Sequence, residues 1–318
     1  MTLYNNYEEF LAACLEHSTQ EEFEYTMNAY TYSKKLSEKY YDEFMDLSDV
    51  KQRERYNKII KLITSKNYIK YGNDAFLQLD FEKITKLFLY ILNNIFGDLN
   101  KIEKEIELYL KSIQIRNGAE PMDGQAFEIV NTDTGEKFHK IMIPSPNNLS
   151  SVVCLCHEFF HFIFHAKDND IRTFQYIEIL SIYAEKVASH ILSTKIEPST
   201  EKKIETIRLE CIKWHYTKSK EDAQDIKNII KQVQSEEAVR FGNDNLIYGL
   251  HLSQSYGIGY IYAEYLYQQY LDNPKLVSEK LLPVLYGEQP LSSLLNYYNI
   301  STNNKEVFEV AKKKIRTI

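Results

Sequence analysis

Glycine and proline are scarce in this chain, ten and seven among 318 residues. That shortage excludes a collagen-like or proline-rich chain and counts against turn-dense β architecture, so helices are expected. Cysteine is scarcer still, at four: Cys14, Cys154, Cys156 and Cys211. Four are too few for a disulfide framework in a chain this long, and reduced thiols in a cytoplasmic protein are the simpler expectation. Positive charge is in deficit, with 38 Lys and Arg against 45 Asp and Glu and a formal net charge of -7. Such a balance offers no basic footprint for nucleic acid or an anionic membrane surface. The N-terminal "MTLYNNYEEF" lacks a basic segment followed by an apolar one, so no secretory leader is expected. The greasy window "LFLYILNNIF" at 87–96 is too short and too interrupted by Asn to span a bilayer. The length suffices for one large domain or two small ones with a substantial core.

Up to about residue 112 the chain reads as one helix after another. "EEFEYTMNAYTYSKKLSEKYYDEFM" (21–45) and "FEKITKLFLYILNNIF" (81–96) repeat apolar positions every three or four residues, and Gly97 is placed to end the second. "NGAEPMDG" (117–124) is a turn-rich break. Two alternating runs then flank "NTDTGE", a hairpin signal, and "PSPNNLSS" ends in residues able to cap a helix. From 171 onward the chain is again mainly helical, punctuated at "IEPST", "FGND", "YGIG" and "DNP". The expected fold is mostly α, with a small β element before one unusual helix. An N-terminal helical region at 1–117 and a catalytic region at 118–318 are expected, possibly continuous as one domain.

That unusual helix is "CLCHEFFHFIFH" (154–165), which holds three of the eight histidines. His157-Glu158-Phe159-Phe160-His161 reads HExxH. Residues four apart share a helix face, so two imidazoles converge on one ion, and Glu158 beside them is placed to take a proton from an attacking water. Zinc hydrolysis needs that division of labour. HExxH alone is short enough to arise by chance, and the bland alternative is two core histidines. A catalytic zinc also needs a third protein ligand.

Downstream, "IRTFQYIEILSIYAEKVASHIL" is a second apolar-periodic helix beyond a polar turn, "KDND" at 167–170. In an antiparallel hairpin about that turn, His161 lies roughly 10 Å before it and Glu178 roughly 14 Å after it. The midpoint of the two histidines, position 159, then matches Glu178 in height. Glu178 sits among Ile177, Ile179 and Leu180, an apolar setting that favours a ligand over a solvated charge. Glu185 is two turns further on the same face, where a carboxylate can accept the other ring N–H of His157; the alternative is a surface charge beside Lys186. His165 is about 80° round from His157 and is expected to line the cleft or the core. Cys154 and Cys156 are expected to be buried small hydrophobes.

"YGLHLSQSYGIGYIYAEYLYQQY" (248–270) places His251, Tyr256, Tyr260 and Tyr262 around Gly257 and Gly259. Amide hydrolysis passes through an oxyanion that a Tyr or His donor stabilises, and the glycines suggest flexibility or close backbone approach. The bland alternative is an aromatic core stripe.

HExxH, then Glu178-Ile-Leu-Ser181 with Glu185 seven residues on, then His251, Tyr256 and Tyr260, together resemble the thimet oligopeptidase and oligoendopeptidase F family. There the third zinc ligand opens an E-x-x-S segment, and a later motif runs His, Tyr five on, Tyr four further. The resemblance covers roughly residues 118–275. It implies a helical zincin-like metallopeptidase with one zinc held by His157, His161 and Glu178, Glu158 as general base, Tyr256 and Tyr260 as oxyanion or substrate contacts, and His251 on the substrate backbone. It implies short peptides as substrate. Phe160 stands where that family has Gly, Leu180 where it has Pro, and Ala263 where it has a further Tyr. The chain is about half the usual family length. The strand near 138–143 is a candidate for pairing with an extended peptide. Two rival functions use the same residues: a peptide-binding protein without activity, and a protease selective for one folded protein.

Overall fold

The structure is a computed structural model and describes residues 50–117, 119–130, 137–145, 147–165, 177–232 and 255–318. Among the described residues ten α-helices surround one small sheet. In order they are α1 (Val50–Thr64), α2 (Phe81–Phe96), α3 (Glu103–Lys111), β1 (Ile113–Asn117), β2 (Gln125–Val130), β3 (Lys137–Ser145), α4 (Leu149–His165), α5 (Ile177–Lys195), α6 (Thr200–Gln232), α7 (255–272), α8 (Pro274–Leu285), α9 (Leu291–Tyr297) and α10 (Lys305–Thr317). The mostly α expectation is met, with the sheet immediately before α4. None of the described helices is long and apolar enough to cross a membrane.

Local chemistry sets several boundaries. Asp80 accepts from Lys83 N to start α2, and Gly97 ends it with φ 76°, its N–H bonding Asn93 O. Asn148 starts α4. Its Oδ1 accepts from the backbone N–H of Ser150 at 2.8 Å and of Ser151 at 3.3 Å, and Ser151 Oγ accepts from Asn148 N at 3.2 Å. The Asn148 amide also donates to Asn73, tying the start of α4 to the loop before α2. Asn273 caps α8, which has Pro274 in its first turn.

The sheet order is β1-β3-β2. The expected hairpin is present, β2 pairing antiparallel with β3; its turn, "NTDTGE", lies outside the described residues. β1 pairs parallel with β3, Ile113 opposite Ile141. Two expectations change here. β1 was expected to be the tail of the helical region; its five residues are a strand because β3, far along the chain, supplies the partner. The strand at 138–143 is central: β2 pairs along Lys137–Met142 and β1 along Ile141–Ser145, leaving only the β1-side edge before Ile141 and the β2-side edge after Met142 without a strand partner among the described residues.

α4 is the axis of the molecule. It packs along α5 and touches α2, α3, β2 and β3. One face is aromatic: Phe159 meets Phe88 and Tyr109 edge-on, and Phe160 stacks on Phe96 at 5.6 Å. Tyr109 also donates from its hydroxyl to Leu155 O at 2.8 Å. Each such fully buried ring contributes on the order of 1.5–3 kcal/mol. Phe160 therefore belongs to the core. A single hydrophobic cluster runs from Tyr56 through α2, α4 and α5 to Ile315. The histidines occupy the opposite face of α4, toward α5.

Candidate metal centre

The helical register of α4 places His157 and His161 side by side, Nε2 to Nε2, at 2.9 Å. Glu178, near the start of α5, reaches both: its Oε2 is 3.6 Å from His157 Nε2 and its Oε1 is 3.6 Å from His161 Nε2. Ser181, one turn on, donates to Glu178 Oε2 at 3.4 Å. Two donors bound tetrahedrally at about 2.0–2.1 Å from one zinc lie about 3.3–3.4 Å apart. The three separations bracket that value, so the donor set fits a single small dication. Glu158 stands just outside this triangle, its Oε1 3.9 Å from His157 Nε2. Among the described residues His157, Glu158 and His161 also form a group of possible donors, all within 4.8 Å of one another. Glu178 touches both histidines through separate oxygens, so the triangle that includes it spreads more evenly around a central ion.

Electrostatics separate the two carboxylates. Burial pushes the Glu158 carboxyl up to about 7, with His157 pulling back and Glu178 pushing further. Glu185 lies lower, at about 2, because Arg208 and His157 outweigh its burial. Its Oε1 is 2.7 Å from His157 Nδ1. An ionised carboxylate only accepts, so this contact calls for a proton on Nδ1 and leaves Nε2 as the nitrogen that faces His161 and Glu178. Glu185 is 1% exposed. It does not pair with Lys186, which faces away from this centre.

Arg208, on α6, is a residue that sequence reasoning passed over. It is buried and donates from Nε to Glu185 Oε2 at 3.0 Å and from Nη2 to Glu185 Oε1. Nη2 also lies 3.4 Å from His157 Nδ1. One signal was available: "IRLECI" sets an arginine between apolar residues in the middle of a long helix.

The tyrosine-rich stretch divides. Tyr256 lies over Arg208, whose Cζ is 5.5 Å from the ring, and stacks on His215 at 4.4 Å and 15°. Tyr256 thus borders the metal side. Tyr260 is one turn on and elsewhere: fully buried, it donates to Glu205 Oε1 at 2.5 Å, and Lys186 Nζ lies 4.4 Å from its ring. "YGIG" is not a break, since α7 runs through it. The glycines permit close helix packing. A Cβ on Gly259 would sit 2.6 Å from Glu178 Cβ, and one on Gly257 would sit 2.5 Å from Tyr56 Oη. Gly124, leading into β2, does the same on the other side, where a Cβ would collide with Cys154 Sγ and lie 3.0 Å from Glu158 Oε1. Cys154 and Cys156 are buried, as expected. Tyr262 and Ala263 are buried too. His251 and the His165 side chain lie outside the described residues.

No protein-family model and no curated protein matches the chain. Two solved structures are similar to it. One, described as a candidate peptidase from Chlamydophila abortus, aligns with a TM-score of 0.45 and 14% identity over 93% of this chain and 58% of its own. The other, BsuCP, aligns with a TM-score of 0.45 and 13% identity over 97% of this chain and 77% of its own. This chain spans less than two thirds of the first structure's length.

Proposed function

We propose that the protein is a zinc-dependent metalloendopeptidase acting on short peptides, of the kind its motifs resemble in the thimet oligopeptidase and oligoendopeptidase F family. The observation that carries this reading is the triangle of His157, His161 and Glu178, with Glu158 beside it and outside it. A zinc ion bound there would supply Lewis acidity, lowering the pKa of water and polarising a carbonyl. The chain's own residues do the rest. Glu158, buried beside the ligand triangle, takes the proton of the attacking water and passes it to the leaving amine. Glu185 holds His157 in the tautomer that ligates. The Tyr256 hydroxyl donates to the developing oxyanion, and Tyr260 holds Glu205 instead. His251 keeps its proposed place on the substrate backbone. β2, paired on one side only among the described residues and entered from Gly124 beside Glu158, takes over from β3 as the strand offered to an extended peptide.

Metal analysis beside cleavage of a mixed set of short peptides tests this reading. About one zinc per chain and metal-dependent cleavage are expected. Glu158→Gln is expected to keep the metal and lose about 10²–10⁴-fold in rate. Glu178→Ala is expected to lose the metal, and Tyr256→Phe to keep it and lose about 10²–10³-fold in turnover. Full zinc retention in Glu178→Ala rejects the ligand set. Zinc without cleavage of any peptide replaces the enzyme by a metal-dependent peptide-binding protein.

A further inference from the structure

We propose that Arg208 is a positioning residue for the metal centre: its guanidinium fork fixes the Glu185 carboxylate so that His157 presents only the Nε2 lone pair to the ion. This rests on the reading of His157 as a zinc ligand and adds a residue that neither the motifs nor the donor triangle contain.

The argument is geometric. A Glu side chain has three torsions, and a carboxylate rotating about the last of them offers Nδ1 a different oxygen at each setting. Arg208 stops that rotation by engaging both oxygens, Nε on Oε2 at 3.0 Å and Nη2 on Oε1, the fork-on-fork pairing in which a guanidinium gives direction as well as attraction. Oε1 then has one remaining direction, toward His157 Nδ1 at 2.7 Å. Guanidinium has donors only, and Nη2 is 3.4 Å from the same Nδ1. The Glu185 contact is the shorter of the two, 2.7 Å against 3.4 Å, so Nδ1 donates to Oε1 in preference to accepting from Nη2, and Nε2 is left to face the ion. All three groups are buried, at 5% exposure for His157, 1% for Glu185 and 7% for Arg208, so water does not compete for these bonds.

α6 makes the arrangement stiff. It presents Arg208, Cys211 and His215 on one face, at spacings of three and seven residues. Arg208 Nη1 contacts Cys211 Sγ at 3.8 Å, and His215 stacks on Tyr256, which itself lies over Arg208. Arg208 therefore also couples the ligand side of the centre to the proposed oxyanion donor.

The test uses full-length protein stripped of metal and titrated with cobalt(II), whose visible absorption reports ligand geometry, and with zinc in competition against a chelator. Wild type, Arg208→Met, Arg208→Lys, Glu185→Gln and the double variant Arg208→Met with Glu185→Gln are compared, with thermal melts of the metal-free proteins as the check on folding. Arg208→Met is expected to weaken zinc roughly 10–100-fold, as loss of a ligand's partner does, and to alter the cobalt spectrum. Arg208→Lys is expected not to restore the spectrum, because a single ammonium cannot hold both oxygens. The double variant is expected to bind zinc as Glu185→Gln does, since the arginine acts through that carboxylate. If Arg208→Met does not fold, Arg208→Lys carries the decision by affinity and spectrum. Wild-type affinity and spectrum in the folded arginine variants overturn the proposal, as do additive losses in the double variant. Failure of wild type to bind either ion overturns the zinc reading itself, a result distinguishable from these.

Discussion

Glu185 and Lys186 are neighbours in the chain, yet they belong to two different buried charge clusters on either side of α5. Glu185 faces His157, Glu178 and Arg208. Lys186 faces Glu205 at 2.7 Å, Glu264 at 2.8 Å and the ring of Tyr260. The second cluster is closed: an ammonium fills the centre, carboxylates from α6 and α7 surround it, and the Tyr260 hydroxyl occupies a remaining oxygen. The first is open. Three carboxylates, Glu158, Glu178 and Glu185, stand around its one fixed cation, Arg208, against two around Lys186, and its two imidazoles face Glu178. Burial of charge is tolerable when each charge has a partner, and a surplus that points inward at one place invites a cation. The difference between the clusters, more than the presence of buried charge, is what favours the first as the candidate metal centre.

The sharpest way to break that comparison is Lys186→Met. Two buried carboxylates would lose their shared cation, and a loss of about 3–5 kcal/mol in stability is expected from urea unfolding. Zinc affinity measured on the folded fraction should stay at the wild-type value. A variant that keeps its stability but loses metal would merge the two clusters into one.

Gly259→Ala addresses the contact between α7 and the open cluster. The new Cβ would lie 2.6 Å from Glu178 Cβ and 3.0 Å from its carbonyl carbon, so backbone must move. Overpacking of this kind costs about 1–3 kcal/mol. Zinc affinity is expected to fall with it, because the displaced residue is a proposed ligand. Gly257→Ala, which presses on Tyr56, is expected to lower stability and leave affinity alone. Equal effects on affinity from both would show that α7 acts on the whole core and not on Glu178.

The smallest effect concerns His215 at the rim. Burial, and then Arg208, hold its imidazole down to about 4, whereas the unfolded chain titrates near the ordinary imidazole value of 6.5. Between those values the unfolded state binds more protons. The contribution of neutral His215 is thus complete above about 6.5, declines as pH falls, and is lost below about 4. His215→Phe keeps an aromatic ring on Tyr256 and should flatten the fall in melting temperature between pH 6.5 and 4.5. An unchanged slope would assign acid sensitivity to other groups.

What the sequence made legible follows from the range of the physics involved. HExxH and the Asn148 cap are local, set by helical periodicity and by side chains within three residues. The convergence of Glu178 and Glu185 on His157 needed one assumption, an antiparallel hairpin, and helix rise did the rest. The partners of Arg208 and of Lys186 could not be read from the sequence because they depend on how α6 and α7 pack against α5, a relation without a sequence period. Tyr256 and Tyr260 illustrate the limit: four residues apart on one helix, they fall into different clusters because one turn along α7 carries the second ring past Arg208 to Glu205 and Lys186. The glycines beside them were legible as special, with flexibility and close approach both open, since the two leave the same mark in a sequence; the structure shows close approach. β1 was missed because five residues of strand have no identity without β3.

The Asn148 cap has a consequence for which lengths of chain this architecture tolerates. The cap is anchored to Asn73, outside the helix, and the first histidine follows nine residues later (157 − 148), about two and a half turns. Angular position along α4 is therefore counted from a fixed origin. One residue added or removed between 148 and 157 would rotate both imidazoles by about 100°, in opposite senses for the two changes and in either case away from α5. Length changes in α4 are expected to abolish metal binding as completely as removal of a ligand, even when every residue of the motif is retained.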